Sequence, residues 1–109
     1  MKRVEFENID REDQVLIRTQ NSEYRFEVIN PEERRGKLTG GSLGGQTRDA
    51  VLIGAVPKNF NEQLSDPLTV CTGARALFFM DSRTGVERLI TSVVTEIEHL
   101  KNNRTVRAA

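Results

Sequence analysis

The run Val15-Leu-Ile-Arg-Thr-Gln-Asn-Ser-Glu-Tyr-Arg-Phe-Glu-Val-Ile29 decides the fold class. Successive side chains of a strand point to opposite faces, and apolar and polar residues alternate on both sides of Asn21-Ser22. With those two residues at the turn, Thr19 faces Tyr24, Ile17 faces Phe26 and Val15 faces Val28 on one face. On the other face Gln20 meets Glu23, Arg18 meets Arg25 and Leu16 meets Glu27. A slip of one residue would scramble this sorting. The stretch therefore predicts a β-hairpin with one apolar face turned to a core.

Working outward, the neighbouring segments read as more short strands separated by turn residues. Val4 and Phe6 alternate with Glu5 and Glu7, and Asp10 to Asp13 form a charged turn. After the hairpin, Asn30-Pro31-Glu-Glu33 breaks the chain, because proline fixes φ and removes a donor. Arg35 to Thr39 is a third strand, and Gly40-Gly-Ser-Leu-Gly-Gly-Gln46 is a flexible loop. Asp49 to Val56 is apolar enough for a strand buried on both faces. Pro57 to Pro67 is a polar connection that Phe60 and Leu64 can pin. Leu68 to Thr72 alternates again, Gly73 permits a bend, and Ala74 to Met80 is apolar. Asp81 to Gly85 is a loop.

The last element has two readings. Val86, Leu89, Ile90, Val93, Val94, Ile97 and Leu100 recur at three and four residues, the stripe of an amphipathic helix. Six of the nine residues from Leu89 to Ile97 are β-branched, which suits strands. The strand reading gives 86–91 and 93–99 with a bend at Thr91-Ser92. The expected fold is all-β, a small barrel of six to seven mostly antiparallel strands over residues 1–100, with a flexible tail at 101–109. The alternative is α+β with a C-terminal helix at 86–100.

Composition narrows the function classes. The chain has 109 residues, enough for one domain with a core. Lys plus Arg and Asp plus Glu are each 16, so the net charge is zero. Nonspecific nucleic-acid binding draws on an excess of cations, and globally there is none. Nucleic acid is disfavoured, though a basic face of Arg3, Arg18, Arg25, Arg34, Arg35 and Lys37 keeps it open. No apolar run approaches the ~18 residues of a membrane span, and the N-terminal residues lack the apolar core of a secretory signal. A single cysteine, Cys71, forms no internal disulfide, which favours a reducing, cytoplasmic setting.

The chemistry-bearing residues are few. Gly40 to Thr47 has the spacing of a phosphate-binding loop, but Gln46 replaces the lysine that carries the charge, and a strand follows where a helix is needed. His99 is the one histidine; it reads as a solvated surface residue beside Glu96 and Glu98, without the partners of a metal site. No cofactor is implied. Cys71 reads as a small buried hydrophobe, and the acids Asp10, Glu12, Asp13, Glu32 and Glu33 as solvated turn residues. Tyr24 and Phe26 read as core. Arg18 and Arg25, facing each other across the hairpin, are either neutralised by Glu23 and Glu27 or hold an anion or a partner's carboxylate. With Asn21 and Ser22 at the tip, they are the candidate binding residues.

Three segments, Arg18-Thr19-x-Asn21-Ser22-x-Tyr24, Gly40-Gly41 and Leu89-x-Thr91-Ser92-x-Val94, together resemble small bacterial all-β proteins of no assigned function. In those the closing strand often reads threonine-serine-proline-valine; Val93 stands at the proline position here. The resemblance spans most of residues 14–98 and implies an all-β fold without implying an activity. The function expected is a non-catalytic binding or assembly module, with itself or another protein as partner. A nucleic-acid-binding barrel and a small enzyme whose acids meet only in the fold are the alternatives.

Overall fold

The computed structural model describes residues 3–57, 69–82 and 84–101. The Pro57–Pro67 connection with Phe60 and Leu64 lies almost entirely outside them, as does the expected tail beyond Lys101. Eight strands form: β1 (Arg3–Glu5), β2 (Gln14–Thr19), β3 (Glu23–Asn30), β4 (Arg35–Gly40), β5 (Arg48–Val56), β6 (Thr69–Cys71), β7 (Arg75–Ser82) and β8 (Gly85–Leu100). Strands β2-β3-β4-β5-β7-β8 follow one another as antiparallel neighbours, and β8 returns to β2 to close a six-stranded barrel. Closure leaves the barrel without an open edge. The short ribbon β1-β6 packs beside it against β5, β7 and β8.

The interior is filled by side chains. Val15 and Ile17 from β2, Tyr24, Phe26 and Val28 from β3, Leu38 from β4, Leu52 from β5, Phe78 from β7 and Val94 and Ile97 from β8 are all buried in one cluster. Phe26 and Phe78 meet in a tilted pair with centroids 5.5 Å apart, a favoured aromatic geometry. Val4, Phe6, Ile9 and Val70 join the same cluster from the ribbon and the 3-10 turn at Phe6–Asn8.

The hairpin forms with its faces sorted as the alternation predicts, but its register is shifted by two residues. Ile17 faces Tyr24, Val15 faces Phe26, Leu16 faces Arg25 and Arg18 faces Glu23. A shift of two preserves the inward set, so the hydrophobic pattern alone cannot choose between the registers. The turn chooses. The Thr19 hydroxyl accepts the N–H groups of Asn21 (3.2 Å) and Ser22 (3.0 Å), and Thr19 N donates to Ser22 O (2.8 Å). That local bonding makes Gln20-Asn21 the loop.

The segment 86–100 is strand, not helix, and its helical spacing has a physical cause. β8 gives Gly85–Val93 to β7 and Val94–Leu100 to β2. Each pairing contains an irregularity. Against β2, Ile97 faces Ile17 and Glu96 faces Arg18, but Val94 faces Thr19, so Thr95 is an extra residue; its hydroxyl donates to Arg18 O (3.2 Å). Against β7, Val93 faces Arg75 while Ile90 faces Leu77. There the Thr91 hydroxyl accepts the Ala76 N–H (3.0 Å) and donates to Ser92 O (2.7 Å). Each extra residue turns the next side chain to the opposite face. Buried Thr91, Val94 and Ile97 therefore recur every third residue on a strand.

The glycine loop is only partly open. Its first half is a 3-10 turn over Gly41–Leu43. Ser42 N donates to the Tyr24 hydroxyl (3.3 Å), and a side chain on Gly41 would collide with the Tyr24 ring. Gly44 and Gly45 face open space. The segment that follows is β5, which leaves the loop without the helix N-terminus of a phosphate-binding loop.

Candidate functional site

The hairpin residues Arg18, Arg25, Asn21 and Ser22 are placed on the outside of the barrel and its tip. Arg18 and Arg25 do not face one another. Arg18 lies between Glu23 (2.7 Å) and Glu96 (3.3 Å), and the hydrogen bond it donates to Glu23, followed by the charges of Glu23 and Glu96, raises its pKa. Arg25 faces Leu16 on one side and Thr39 on the other. Asn21 Nδ2 donates to Ser92 Oγ (3.2 Å), and Ser22 is part of the Thr19 turn. The Arg18–Ser22 and Thr91–Ser92 motifs thus meet in space, where they build a turn and a strand irregularity.

Four of the six basic residues expected to form a nucleic-acid face, Arg3, Arg18, Arg35 and Lys37, have acids beside them. Arg3 pairs with Glu5 (4.0 Å), and Arg35 with Glu33 (3.5 Å) and Asp81 (3.8 Å). Lys37 stands opposite Glu27 and Asp49. Together with the Arg18 triad, these carboxylates break the continuous positive potential that phosphate tracking uses.

Asp13 and His99, 86 residues apart in sequence, are brought together where β8 ends beside the turn before β2. Both differ from the solvated residues expected. The Asp13 side chain is 1% exposed, that of His99 18%. Asp13 Oδ2 accepts from His99 Nε2 (2.8 Å) and from the Asp10 N–H (2.9 Å), with Lys101 Nζ at 3.4 Å. An ionised Asp13 can only accept, and in that state Nε2 carries the ring proton. Lys101 also donates to Asp10 Oδ2 (2.9 Å) and Asn8 O (2.9 Å). The bond to Asp10 is the main reason its pKa is raised; desolvation opposes it and the Asp13 charge adds to it. An aspartate orienting a histidine is half of a nucleophile-activating triad. Here Asp13 supplies the one side-chain hydrogen bond of His99, and no serine, threonine or cysteine completes the triad, among the described residues. The arrangement is a latch between β8 and the turn preceding β2.

Concave surface occurs on the exterior. An open polar cleft of about 750 Å³ lies among Gln46, Arg48, Asp81, Ser82, Thr84 and Glu87. Arg48 crosses it, bonding to Asp81 O (2.8 Å) and Glu87 (3.4 Å). A second cleft of about 320 Å³ is lined by Glu5, Phe6, Glu7, Pro31, Glu32 and Arg34. Its frame follows from the Asn30–Arg34 loop. The Asn30 side chain accepts the N–H groups of Glu32 (3.1 Å) and Glu33 (3.3 Å). Arg34 N donates to Pro31 O (3.1 Å), with Arg34 at φ 57° in the left-handed region. Arg34 is then held at both ends: its carbonyl accepts Leu52 N (3.0 Å), and its Nε donates to Leu52 O (3.2 Å). This leaves the guanidinium 5.7 Å from the centroid of the Phe6 ring, a cation–π placement. Beneath them a crevice of about 10 Å³ leads toward the barrel core. The cleft was not legible in the sequence, because Phe6 and Arg34 meet only in the fold.

Among the described residues no helix is long and apolar enough to cross a membrane. Compared with protein-family models, curated proteins and solved structures, the chain gives no match.

Proposed function

We propose that this chain is a non-catalytic binding or assembly module that works through its exterior. The observation that carries the reading is the filled barrel: Phe26, Phe78, Leu38, Leu52 and Ile97 are almost fully buried and pack the interior. Small barrels of this kind have a core where larger ones have a ligand cavity. The groups with catalytic potential support the same reading, since Asp13 and His99 are committed to each other. The partner is a protein surface, either another protein or a second copy of this chain. Zero net charge leaves association unopposed by self-repulsion. The lone cysteine supports a cytoplasmic setting. The likeness of the Arg18–Tyr24 and Leu89–Val94 segments to small bacterial all-β proteins without assigned activity belongs to this reading.

Two measurements test it. A panel of ester, phosphate and amide substrates should show no turnover; hydrolysis abolished by His99→Ala would overturn the non-catalytic reading. Light scattering over a concentration series reads self-association, and a strictly monomeric mass would remove the second copy as the partner.

A further inference from the structure

We propose that the cleft between Phe6 and Arg34 docks a basic side chain, arginine or lysine, presented by a protein partner. This rests on the reading of the chain as a binding module and names its contact. The cleft, about 320 Å³, is at the small end of ligand sites. It suits one long side chain better than a drug-sized molecule.

Its chemistry is divided as a basic side chain is divided. Phe6 and Pro31 offer apolar surface to an aliphatic stem. Glu5, Glu7 and Glu32 offer carboxylates to a cationic head, against one cation, Arg34. Arg34 is already engaged with Leu52 O and stacked on Phe6. Glu5 has Arg3 at 4.0 Å, whereas Glu7 and Glu32 have no cation within ion-pair distance among the described residues. The lining thus carries a net negative charge with two unneutralised carboxylates beside an apolar floor. An incoming guanidinium or ammonium gains charge-assisted hydrogen bonds there. The crevice below, at about 10 Å³, is too small to admit the head, so the docked group stays at the surface. The left-handed backbone at Arg34 and the Asn30 bonds to Glu32 and Glu33 hold this rim in place before any partner arrives.

The test is an amide NMR titration of the whole chain with the blocked peptide acetyl-Gly-Arg-Gly-amide. Its neutral citrulline analogue and free butylguanidinium serve as comparisons. The arginine peptide should give saturable shifts centred on Phe6, Glu7, Glu32 and Arg34, weakened by added salt. The citrulline peptide should give none. The Glu7→Gln/Glu32→Gln double variant should bind at least about tenfold more weakly. Its melting temperature should be unchanged, because no described partner is lost. Shifts elsewhere, an equal response to citrulline, or undiminished binding by the variant would overturn the proposal. Equal affinity for butylguanidinium would assign the cleft to a free organic cation and overturn the protein partner. Turnover that depends on His99 would sink the module reading while leaving these shifts in place, so the two failures are read separately.

Discussion

Replacing Asp13 with alanine should cost this fold several kilocalories per mole. The carboxylate is 1% exposed and receives the His99 ring at 2.8 Å and the Asp10 N–H at 2.9 Å. Hydrogen bonds to a charged group contribute about 1.5–3 kcal/mol, and a buried donor left unpaired costs about 1–3 kcal/mol. Lys101 is half exposed, so its share is at most about 1 kcal/mol. The expected loss is about 3–4 kcal/mol, near the range for breaking a buried pair. Against a total stability of about 5–15 kcal/mol for an ordinary domain, that is a large fraction. It corresponds to a fall in Tm of at least about 12 °C. Urea unfolding with an unchanged m-value measures it. Asp13→Asn, which keeps one acceptor oxygen, should fall between the two proteins. His99→Ala should be non-additive with Asp13→Ala, with a coupling of about 1–3 kcal/mol. A loss below about 1 kcal/mol, or full additivity, would refute the latch.

Thr91→Val keeps the β-branched shape but removes the acceptor of the buried Ala76 N–H; it should destabilise by about 1–3 kcal/mol in the same assay. Gly41→Ala places a methyl group in the Tyr24 ring at a left-handed φ of 52°, and should cost about 1–3 kcal/mol. Gly45→Ala, in open space, should change thermal stability by less than about 0.5 kcal/mol. The raised pKa of Lys101 adds stability that is fully present below its ordinary 10.5 and is lost as pH rises through the higher folded value. The melting difference between the protein and Lys101→Met should be constant from pH 7 to about 10 and shrink above that. Exposure keeps it within about 1 kcal/mol. A difference that grows with alkaline pH would contradict the pairing with Asp10.

The strand content was legible because alternation is a local signal. Ile17, Tyr24 and Phe26 announce an inward face wherever the strands end up, and β-branched residues from Ile90 to Ile97 outweigh a helical spacing. Two things hid the rest. A register shift of two leaves every residue on its own face, so the apparent Arg18–Arg25 opposition could be separated from the real Arg18–Glu23 pair only by the Thr19 hydroxyl bonds. The three-residue rhythm of Thr91, Val94 and Ile97 could not show that two irregularities produced it, since these exist only against particular neighbours, β2 and β7.

The candidate sites were less legible still. Arg18, Asn21 and Ser22 stood out as polar residues at a turn, and the fold gives each a partner. The Asp13–His99 latch and the Phe6–Arg34 cleft join residues far apart in the chain, and neither has a spacing motif. By itself, the sequence determined the strands before residue 86, the inward face of the hairpin and the balance of charge, because these follow from side-chain alternation and composition; it left 86–100 open between strand and helix. Closure of the barrel decided the remainder. It carried β8 back to β2, which buried Asp13 beside His99. The Asn30–Arg34 turn, bonded to Leu52 of β5, set a guanidinium over Phe6.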